Sequence, residues 1–482
     1  MSPLTPGSVG RFTFTVDSVT IHFASLTVLI GIGVFVFALR GMSGPSGGGT
    51  ARAAGGGRGG TRGRFLLTAL PTLGAVLGVV FAGDLLTLFV FFEILALLGF
   101  FLVRQGDGAR GAAIRYFWTM LVGGLVLLAG ILLRGGGASG PGSVLLLLGF
   151  GVKAGMLPVH GWLPAAHSKA PAPASALLSG VMIKTGIYGI FRVLTDPATP
   201  EMLHATVFTL GLAGAAYGAL RALVQSDAKR LLAWSSVSQV GVILTGIGAG
   251  AWEGSLQHVM THASAKAVLF LAVGAVALRH GTVQLAGLGG LWRTMPVTFA
   301  LSLFAGLALM GFPLLRASAG KAEIHHALEG VPSAEAVFFL ASAGTVAILL
   351  KLIAEVFLGP ARDPDPATRA SEIGGALTAL GLIIAALPLL HPALPTDMPY
   401  FVATFGAGTV LYLTWRRWGP AWPPVRIPSL PSGWTVPLPA PPGLPALPEA
   451  RLQRAVERYA REIAPNLALL FVVLLAVVFV LR

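Results

Sequence analysis

The sequence predicts an all-α integral membrane protein with about fourteen transmembrane helices. Of its 482 residues, 55% are hydrophobic and only 11% are charged, whereas a soluble domain carries about 25% charged residues. The apolar residues also gather in runs of the roughly 20 residues that a helix needs to cross a bilayer. Because lipid offers the backbone no hydrogen-bond partner, we expect these spans to be helical.

The apolar runs set the boundaries of five predicted regions. We expect spans near residues 19–39, 65–82, 85–103, 112–133, 143–157, 174–194, 203–224, 231–249, 255–278, 295–315, 334–358, 373–390, 400–415 and 466–481. The regions are an N-terminal segment with the first helix, a Gly/Arg-rich loop, a helical core, a Pro-rich linker, and an amphipathic helix with a last transmembrane helix, at 1–39, 40–64, 65–415, 416–448 and 449–482. The amphipathic part fits a helix on the membrane surface or a simple stem.

The net charge of +14 comes mainly from arginines in short loops between the apolar runs. Arg and Lys are enriched in cytoplasmic loops, so this pattern predicts a multi-pass protein of the cell (inner, cytoplasmic) membrane and argues against nucleic-acid binding. The loop at 41–64 and the basic loops near 104–115, 158–172 and 225–230 then face the cytoplasm. The chain has no cysteine and no dinucleotide-binding motif, so we expect no cofactor and no thiolate metal site.

The seven lysines are placed differently from the arginines. Five of them fall within or at the edge of apolar runs: Lys153, Lys184, Lys266, Lys321 and Lys351. A buried lysine can release and take up a proton, whereas arginine stays charged at any relevant pH. The lysines therefore indicate proton traffic; the alternative is snorkelling of the ammonium to the interface. For Lys351 a further alternative is neutralisation by Glu355, four positions later on the same helix.

Other titratable residues lie inside the apolar runs. Glu93 is near the middle of such a run, where a carboxylate is costly and should pair with a cation; a purely structural pair is the alternative. His258, His262 and Lys266 recur at every fourth position and so share one face of a helix. A titratable stripe of this kind suits a proton relay. A metal site is the alternative, although no carboxylate accompanies the two histidines.

Two predicted spans are interrupted by Gly and Pro beside a lysine. One carries Lys153 ahead of Pro158, and the other carries Lys321 after Pro313. Paired broken helices in the two halves of a membrane chain are typical of inverted repeats with an ion site near the bilayer midplane. Two ordinary proline kinks are the alternative.

At these residues the sequence resembles the antiporter-like membrane subunits of complex I (NADH–quinone oxidoreductase), of membrane-bound hydrogenases and of Mrp-type cation/proton antiporters. The resemblance extends from about residue 16 to 415 and rests on three motifs: KAGMLPVHGWLPAAHSKAPAPASALLSGVMIKTGIYGIFR (153–192), QSDAKRLLAWSSVSQVGVILTGI (225–247) and HVMTHASAKAVLFL (258–271). It implies about fourteen helices with two inverted five-helix repeats, so that 65–415 would be an antiporter-like core. The segment 16–31 resembles the family's third helix, so the first two have no expected counterpart.

The resemblance also implies an ordered proton pathway. Glu93, in FVFFEILAL, would pair with Lys153 of the first broken helix, and the proton would pass to Lys184, in MIKTGIYG. The central connection would be formed by His258, His262 and Lys266, and the exit by Lys321. The match to the family is weakest at Lys321. Lys351 and Glu355 are weaker candidates for the same pathway.

Four functions remain open from the sequence. The first is a proton-translocating subunit of a complex I-like respiratory or hydrogenase assembly, driven by redox chemistry in partner membrane subunits. The second is a subunit of an Mrp-type cation/proton antiporter, in which Na⁺ is a candidate ion. A membrane-embedded enzyme acting on lipid or quinone, and a supporting subunit that conducts nothing, are the others.

Overall fold

The computed structural model describes residues 4–7, 11–41, 58–313, 315, 318–360 and 398–418. The chain divides into two units, Met1–Arg417 and Trp418–Arg482. All described residues except Trp418 belong to the first unit. In these ranges the chain is α-helical, with only isolated bridges between extended residues. The predicted all-α membrane architecture is confirmed.

The described ranges contain fifteen α-helices, named here in chain order. They are α1 (Ser18–Gly41), α2 (Arg58–Phe81), α3 (Leu85–Arg104), α4 (Arg110–Gly135), α5 (Ser139–Ala154), α6 (Trp162–Lys169), α7 (Ala172–Leu177), α8 (Ile183–Leu194), α9 (Met202–Leu223), α10 (Ala228–Gly248), α11 (Trp252–His280), α12 (Pro296–Met310), α13 (Ala319–His326), α14 (Pro332–Ile353) and α15 (Met398–Trp418). Wide π-helical turns, Leu178–Met182 and Ala354–Leu358, precede α8 and follow α14.

The predicted spans coincide with helices wherever the structure describes them. In those ranges nine helical stretches are long and apolar enough to cross a membrane, and α5 and α12 are shorter apolar helices. The runs at 373–390 and 466–481, the linker at 416–448 beyond Trp418, and the amphipathic helix lie outside the described residues. The count of fourteen spans therefore stays a prediction, as does the inverted relation of the repeats.

One predicted boundary differs from the structure. The Gly/Arg-rich loop was expected to reach residue 64, but α2 already begins at Arg58. The apolar run that marks this span starts at Phe65, so hydropathy alone places the start of the helix too late. A helix continues beyond its apolar stretch where its first turns reach the polar interface, which suits the arginines of this segment.

Two helix starts are fixed by aspartate caps. Asp84 precedes α3 in an extended conformation and accepts a hydrogen bond from the backbone N–H of Thr87 at 2.7 Å. Asp227 precedes α10 and accepts from the N–H of Arg230 at 2.9 Å. These carboxylates satisfy backbone donors that have no partner within the helix.

Both predicted helix breaks are present. α5 ends at Gly155, whose φ of 74° is in the left-handed region that favours glycine. The chain then runs without regular helix to α6. α12 likewise ends at Gly311, with φ of 88°, before the chain resumes as α13. The breaks leave backbone groups inside the apolar bundle without helical partners, which is tolerated where they meet protein or line a cavity.

The centre of the bundle is formed by α8, α10 and α11, which are buried along nearly their whole lengths. α9 packs directly against α10 because both present glycines at the contact. A Cβ on Gly218 or Gly241 would overlap the backbone of the other helix. The titratable residues singled out in the sequence surround this centre.

Candidate functional site

The predicted lysines and histidines lie inside the bundle. None of Lys153, Lys184, His258, His262, Lys266, Lys321 and Lys351 is more than 4% exposed. Glu93 is partly buried on α3. An unpaired charge costs free energy in such apolar surroundings. The contacts of each group therefore indicate what stabilises it inside the bundle.

Glu93 and Lys153 are close enough to interact through their charges but form no salt bridge. The Lys153 Nζ donates to the Phe92 carbonyl at 3.4 Å and lies 4.4 Å from the centroid of the Phe92 ring. The carboxylate of Glu93 lies against Gly124 of α4, where a Cβ would overlap it, and its Oε1 has no hydrogen-bond partner among the described residues. The resemblance implies a Glu–Lys pair; in the structure the two groups are within range of charge interaction but are not hydrogen-bonded to each other.

Aromatic side chains pack at the break after α5. The indole N–H of Trp162 donates to the Val152 carbonyl at 2.8 Å and so satisfies a backbone group near the break. Trp162 also packs edge-on against Tyr116, with ring centroids 5.2 Å apart. The Tyr116 hydroxyl is buried without a hydrogen-bond partner in the described ranges and is close enough to Glu93 for charge interaction. This end of the site therefore has a tyrosine hydroxyl and a carboxylate oxygen that no described residue binds.

Lys184 directly joins two helices. Its Nζ donates to the Ser179 carbonyl at 2.6 Å, in the wide turn that precedes α8. The same Nζ lies 2.9 Å from Nδ1 of His262 on α11. Wide turns of this type occur often at functional sites because they displace the regular backbone ladder. Here the turn accompanies the contact between the second lysine and the central histidines.

The predicted stripe on α11 is present, and each of its members binds a different neighbour. His262 contacts Lys184, whereas His258 Nε2 lies 2.8 Å from the side-chain oxygen of Gln239. Lys266 donates to the Leu232 carbonyl at 2.9 Å and to the Ser235 hydroxyl at 2.8 Å. No group of three or more metal-ligating side chains occurs in the described ranges. The arrangement has donors and acceptors suited to a relay.

Lys321 opens α13 and lies in a small cavity. Its Nζ and the hydroxyl of Ser318 have no hydrogen-bond partner among the described residues. The cavity, of about 20 Å³, is also bordered by Tyr400 and Thr404 of α15. A cavity of this size holds about one water molecule. Lys321 is near enough to His258 for charge interaction, so it lies next to the end of the stripe.

Lys351 is bound differently from the other lysines. Its Nζ donates to the carbonyls of Leu223 and Gln225 at 2.7 and 2.6 Å, and lies 3.4 Å from the ring centroid of Trp415. Leu223 is the last residue of α9, so the ammonium caps that helix end. Glu355 is near enough for charge interaction, but it forms no salt bridge with Lys351. Backbone capping therefore accompanies the charge interaction between Lys351 and Glu355.

Two buried residues were missed in the sequence, although both lie in the quoted motifs. His167 of α6 is fully buried and stacks on Phe270 with centroids 4.7 Å apart, and no described residue forms a hydrogen bond with either of its ring nitrogens. It is within charge-interaction range of Lys184 and Lys266. Gln239 contacts His258. Hydropathy indicated neither residue, since His167 lies in a segment predicted as a loop and Gln239 is a lone polar residue in an apolar run, which shows nothing of its partners.

Comparison with known proteins agrees with this geometry. Residues 138–350 match the family described as NADH:quinone oxidoreductase/Mrp antiporter, transmembrane. Hydrogenase-4 component B of Escherichia coli (strain K12) is 33% identical in a 350-residue alignment, and the match covers 62% of this chain and 52% of that protein. NADH-quinone oxidoreductase subunit N of Desulforudis audaxviator (strain MP104C) is 35% identical in a 283-residue alignment, and the match covers 52% of this chain and 56% of that protein. The chain thus spans about half the length of these curated relatives.

A solved structure shows the same fold. A chain of the Mrp complex from Dietzia sp. DQ12-45-1b superposes with a TM-score of 0.69 at 22% sequence identity. The superposition covers 85% of this chain and 86% of that chain. The matched family segment contains the first break, the π-helical turn and the α11 stripe, while the superposition covers most of the described bundle. Residues 138–350 of this chain therefore match the NADH:quinone oxidoreductase/Mrp antiporter family, and the chain shares its fold with a chain of the Mrp complex.

Proposed function

We propose that this chain is a proton-translocating membrane subunit of a complex I-like NADH–quinone oxidoreductase or hydrogenase assembly. The observation that carries the proposal is the contact between Lys184 Nζ and His262 Nδ1, 2.9 Å apart and buried at the centre of the bundle. Both groups can bind and release a proton, and in the described part of the chain neither has a carboxylate at hydrogen-bond distance. A purely structural contact would be served better by an apolar pair.

At one end of the proposed pathway, Glu93 and Lys153 act as a switch. When the carboxylate approaches the ammonium, it stabilises the charged lysine; when it withdraws, the buried ammonium loses that neighbour and its proton moves on. The absence of a direct salt bridge suits this role, because a tight pair would have to be broken in every cycle. The Phe92 ring, 4.4 Å from Nζ, supports the cation when the carboxylate is distant.

In the centre, the proton passes from Lys184 to the α11 stripe. The Lys184 ammonium donates to His262, and His258 lies one turn away on the same face. Lys266 extends the stripe in the other direction, where Ser235 and a backbone carbonyl accept from its ammonium. Lys321, beside its cavity, would take the proton from the His258 end and release it toward α15.

The family includes Mrp antiporters, so an ion-gradient-driven cation/proton antiporter is the second candidate. The same lysines and histidines would carry the proton in either kind of complex. What differs is the driving event, which in the first case is redox chemistry in a partner. The chain has no cysteine for an Fe–S cluster, so in our proposal electrons pass through other subunits.

The proposed setting is a hetero-oligomeric complex in the cytoplasmic membrane, since the two relatives are a hydrogenase component and an oxidoreductase subunit. Protons are the proposed cargo, with Na⁺ as the candidate in an antiporter. The described basic loops are adjacent: Lys229 donates to the Ala170 carbonyl at 2.9 Å. Under the positive-inside rule this face is cytoplasmic.

The test is to purify the complex through this chain, identify its subunits and reconstitute it in proteoliposomes. We expect redox subunits to copurify, and an electron donor with quinone or proton as acceptor to drive acidification. Proton movement driven only by an imposed Na⁺ or K⁺ gradient, together with small antiporter subunits, would instead establish the second candidate. A complex that moves protons equally well after Lys184→Ala would contradict both.

A further inference from the structure

Three buried side chains link α11 to α14 through α10. The Gln239 Nε2 lies 2.9 Å from the Thr345 Oγ1, and the Gln239 Oε1 lies 2.8 Å from the His258 Nε2. The Thr345 hydroxyl lies 3.0 Å from the Ala341 carbonyl and donates its single hydrogen to it. All three side chains are at most 1% exposed. The chain of bonds therefore has a defined direction.

The direction determines how the glutamine amide is oriented. Since the Thr345 hydrogen is used on Ala341, Oγ1 can only accept, and the group facing it must be the amide NH₂. The amide oxygen then faces His258. The reverse orientation would have the hydroxyl donate to the amide oxygen and would leave the Ala341 contact without a donor. It would make one hydrogen bond fewer inside the bundle, where each lost bond is costly.

The amide orientation in turn sets the tautomer of His258. A carbonyl oxygen only accepts, so His258 Nε2 must carry a hydrogen. The other nitrogen, Nδ1, is buried and has no partner in the described part of the chain. In the neutral imidazole it holds a lone pair. Lys184 and Lys321 are both near enough to His258 to interact through their charges, which favours a lone pair over an N–H at the free nitrogen.

We propose that Gln239 is a positioning residue that holds His258 as the Nε2–H tautomer, so that His258 takes up and releases its proton only at Nδ1. The inference rests on the proposed function as a proton pathway. A proton that arrives binds the Nδ1 lone pair and gives an imidazolium with both nitrogens protonated. The same N–H bond breaks when the proton leaves for the next carrier, and the Nε2–H bond stays intact throughout.

This arrangement confines the proton. An amide has no site that gains or loses a proton near neutral pH, so Gln239 closes the Nε2 side of His258 to transfer. A proton that moves from the Lys184 side to Lys321 is then carried by a single nitrogen of His258, Nδ1. Thr345 acts indirectly, because it determines which end of the Gln239 amide faces the His258 imidazole.

The first experiment reads the tautomer directly. The full chain, labelled with ¹⁵N-histidine in lipid bilayers, is examined by solid-state NMR, and His258 is identified by the resonances that disappear in His258→Asn. We expect a protonated Nε2 and an unprotonated Nδ1 at neutral pH, and a mixture or the opposite tautomer in Thr345→Val. A wild-type His258 with a protonated Nδ1 and a bare Nε2 would overturn the proposal.

The second experiment measures proton transport by the reconstituted complex. Gln239→Leu should lower the rate about 10- to 100-fold, the range known for partners that orient metal-bound imidazoles. Thr345→Val should also lower it, and Thr345→Ser, which retains the hydroxyl, should restore it. Thr245→Val is the matched control, because Thr245 of α10 donates to Gly241 at 2.9 Å in the same local geometry but lies outside this network.

The outcomes separate the two proposals. Unchanged transport in Gln239→Leu, in a complex whose wild type moves protons, overturns the positioning role and leaves the proposed function standing. A wild-type complex that moves no protons overturns the proposed function and the positioning role of Gln239 in proton transfer with it, whatever the tautomer. Equal losses in Thr345→Val, Thr345→Ser and Thr245→Val would indicate packing damage and would also contradict the positioning role.

Discussion

The ammonium of Lys184 and Nδ1 of His262 are 2.9 Å apart, and both are buried between α8 and α11. The lysine has a second acceptor in the Ser179 carbonyl at 2.6 Å. When charged, Lys184 donates to a bare Nδ1, so the neutral His262 carries its hydrogen on Nε2. That nitrogen has no partner among the described residues. The pair therefore has the Lys184 ammonium as a proton donor on one side and the exchangeable Nε2–H of His262 on the other.

The first prediction concerns this contact. Lys184→Ala and Lys184→Arg should both lower proton transport by about 100-fold or more, the usual contribution of a positioned acid or base. The arginine variant retains the charge but cannot release a proton, so it separates charge from proton exchange. Transport is measured in proteoliposomes with a pH-sensitive dye. Lys169→Ala, at an exposed position, should transport normally; wild-type rates in Lys184→Arg would rule out proton exchange at Lys184.

The second prediction concerns the proposed switch. Lys153→Ala or Glu93→Gln should abolish proton pumping while the complex still assembles, because neither side chain forms a salt bridge with any described residue. Pumping and subunit composition are measured on the same preparation. Glu201→Gln, at an exposed site ahead of α9, is the control for loss of a carboxylate. Normal pumping in both switch variants would eliminate the Glu93–Lys153 mechanism.

Much of the fold follows from the sequence because lipid restricts the choices. Long apolar runs predict helices, and Gly and Pro beside Lys153 and Lys321 predict the two breaks. Hydropathy does not show the ends of helices that continue into the polar interface, as at Arg58 of α2.

The site was predicted less completely than the fold. Titratable residues in apolar runs are conspicuous, and the spacing of His258, His262 and Lys266 fixes their common face. Their partners are not visible in the sequence, since they come from distant segments: Gln239 is 19 positions from His258 but 106 from Thr345. Lys351 shows the limit most clearly. Its nearest acid in sequence is Glu355, yet its ammonium binds carbonyls more than 120 positions away.

The third prediction separates Lys351 from Lys321. Lys351→Met removes the donor to the carbonyls of Leu223 and Gln225 and should destabilise the protein by about 1–3 kcal/mol, with transport by the folded protein retained. Lys321→Met should abolish transport and leave stability nearly unchanged, since no described residue accepts a hydrogen bond from the Lys321 ammonium. Thermal unfolding in detergent and transport are compared for the two variants. Loss of transport in a stable Lys351→Met protein would place Lys351 on the pathway instead.

The fourth prediction concerns an ion pair that supports the bundle away from the pathway. Arg192 of α8 donates to Asp17 at 2.6 Å, to Thr20 at 3.1 Å and to the Tyr188 hydroxyl at 2.7 Å. Asp17 lies just ahead of α1. Burial raises the pKa of its carboxyl, but the hydrogen bonds from Arg192 and Thr20 outweigh burial and lower that pKa below its usual value.

The sign of the pH effect follows from that shift. A carboxyl whose pKa is lower in the folded protein stabilises it above the unfolded pKa of about 3.9, and the stabilisation is lost as pH falls through the folded value. At pH 7, Asp17→Asn should destabilise the protein by about 3 kcal/mol, because it leaves the buried Arg192 charge without its counter-ion. The difference in unfolding temperature from wild type should shrink steadily below about pH 4. A difference that stays constant down to pH 3 would show that the carboxylate charge is not what Arg192 requires.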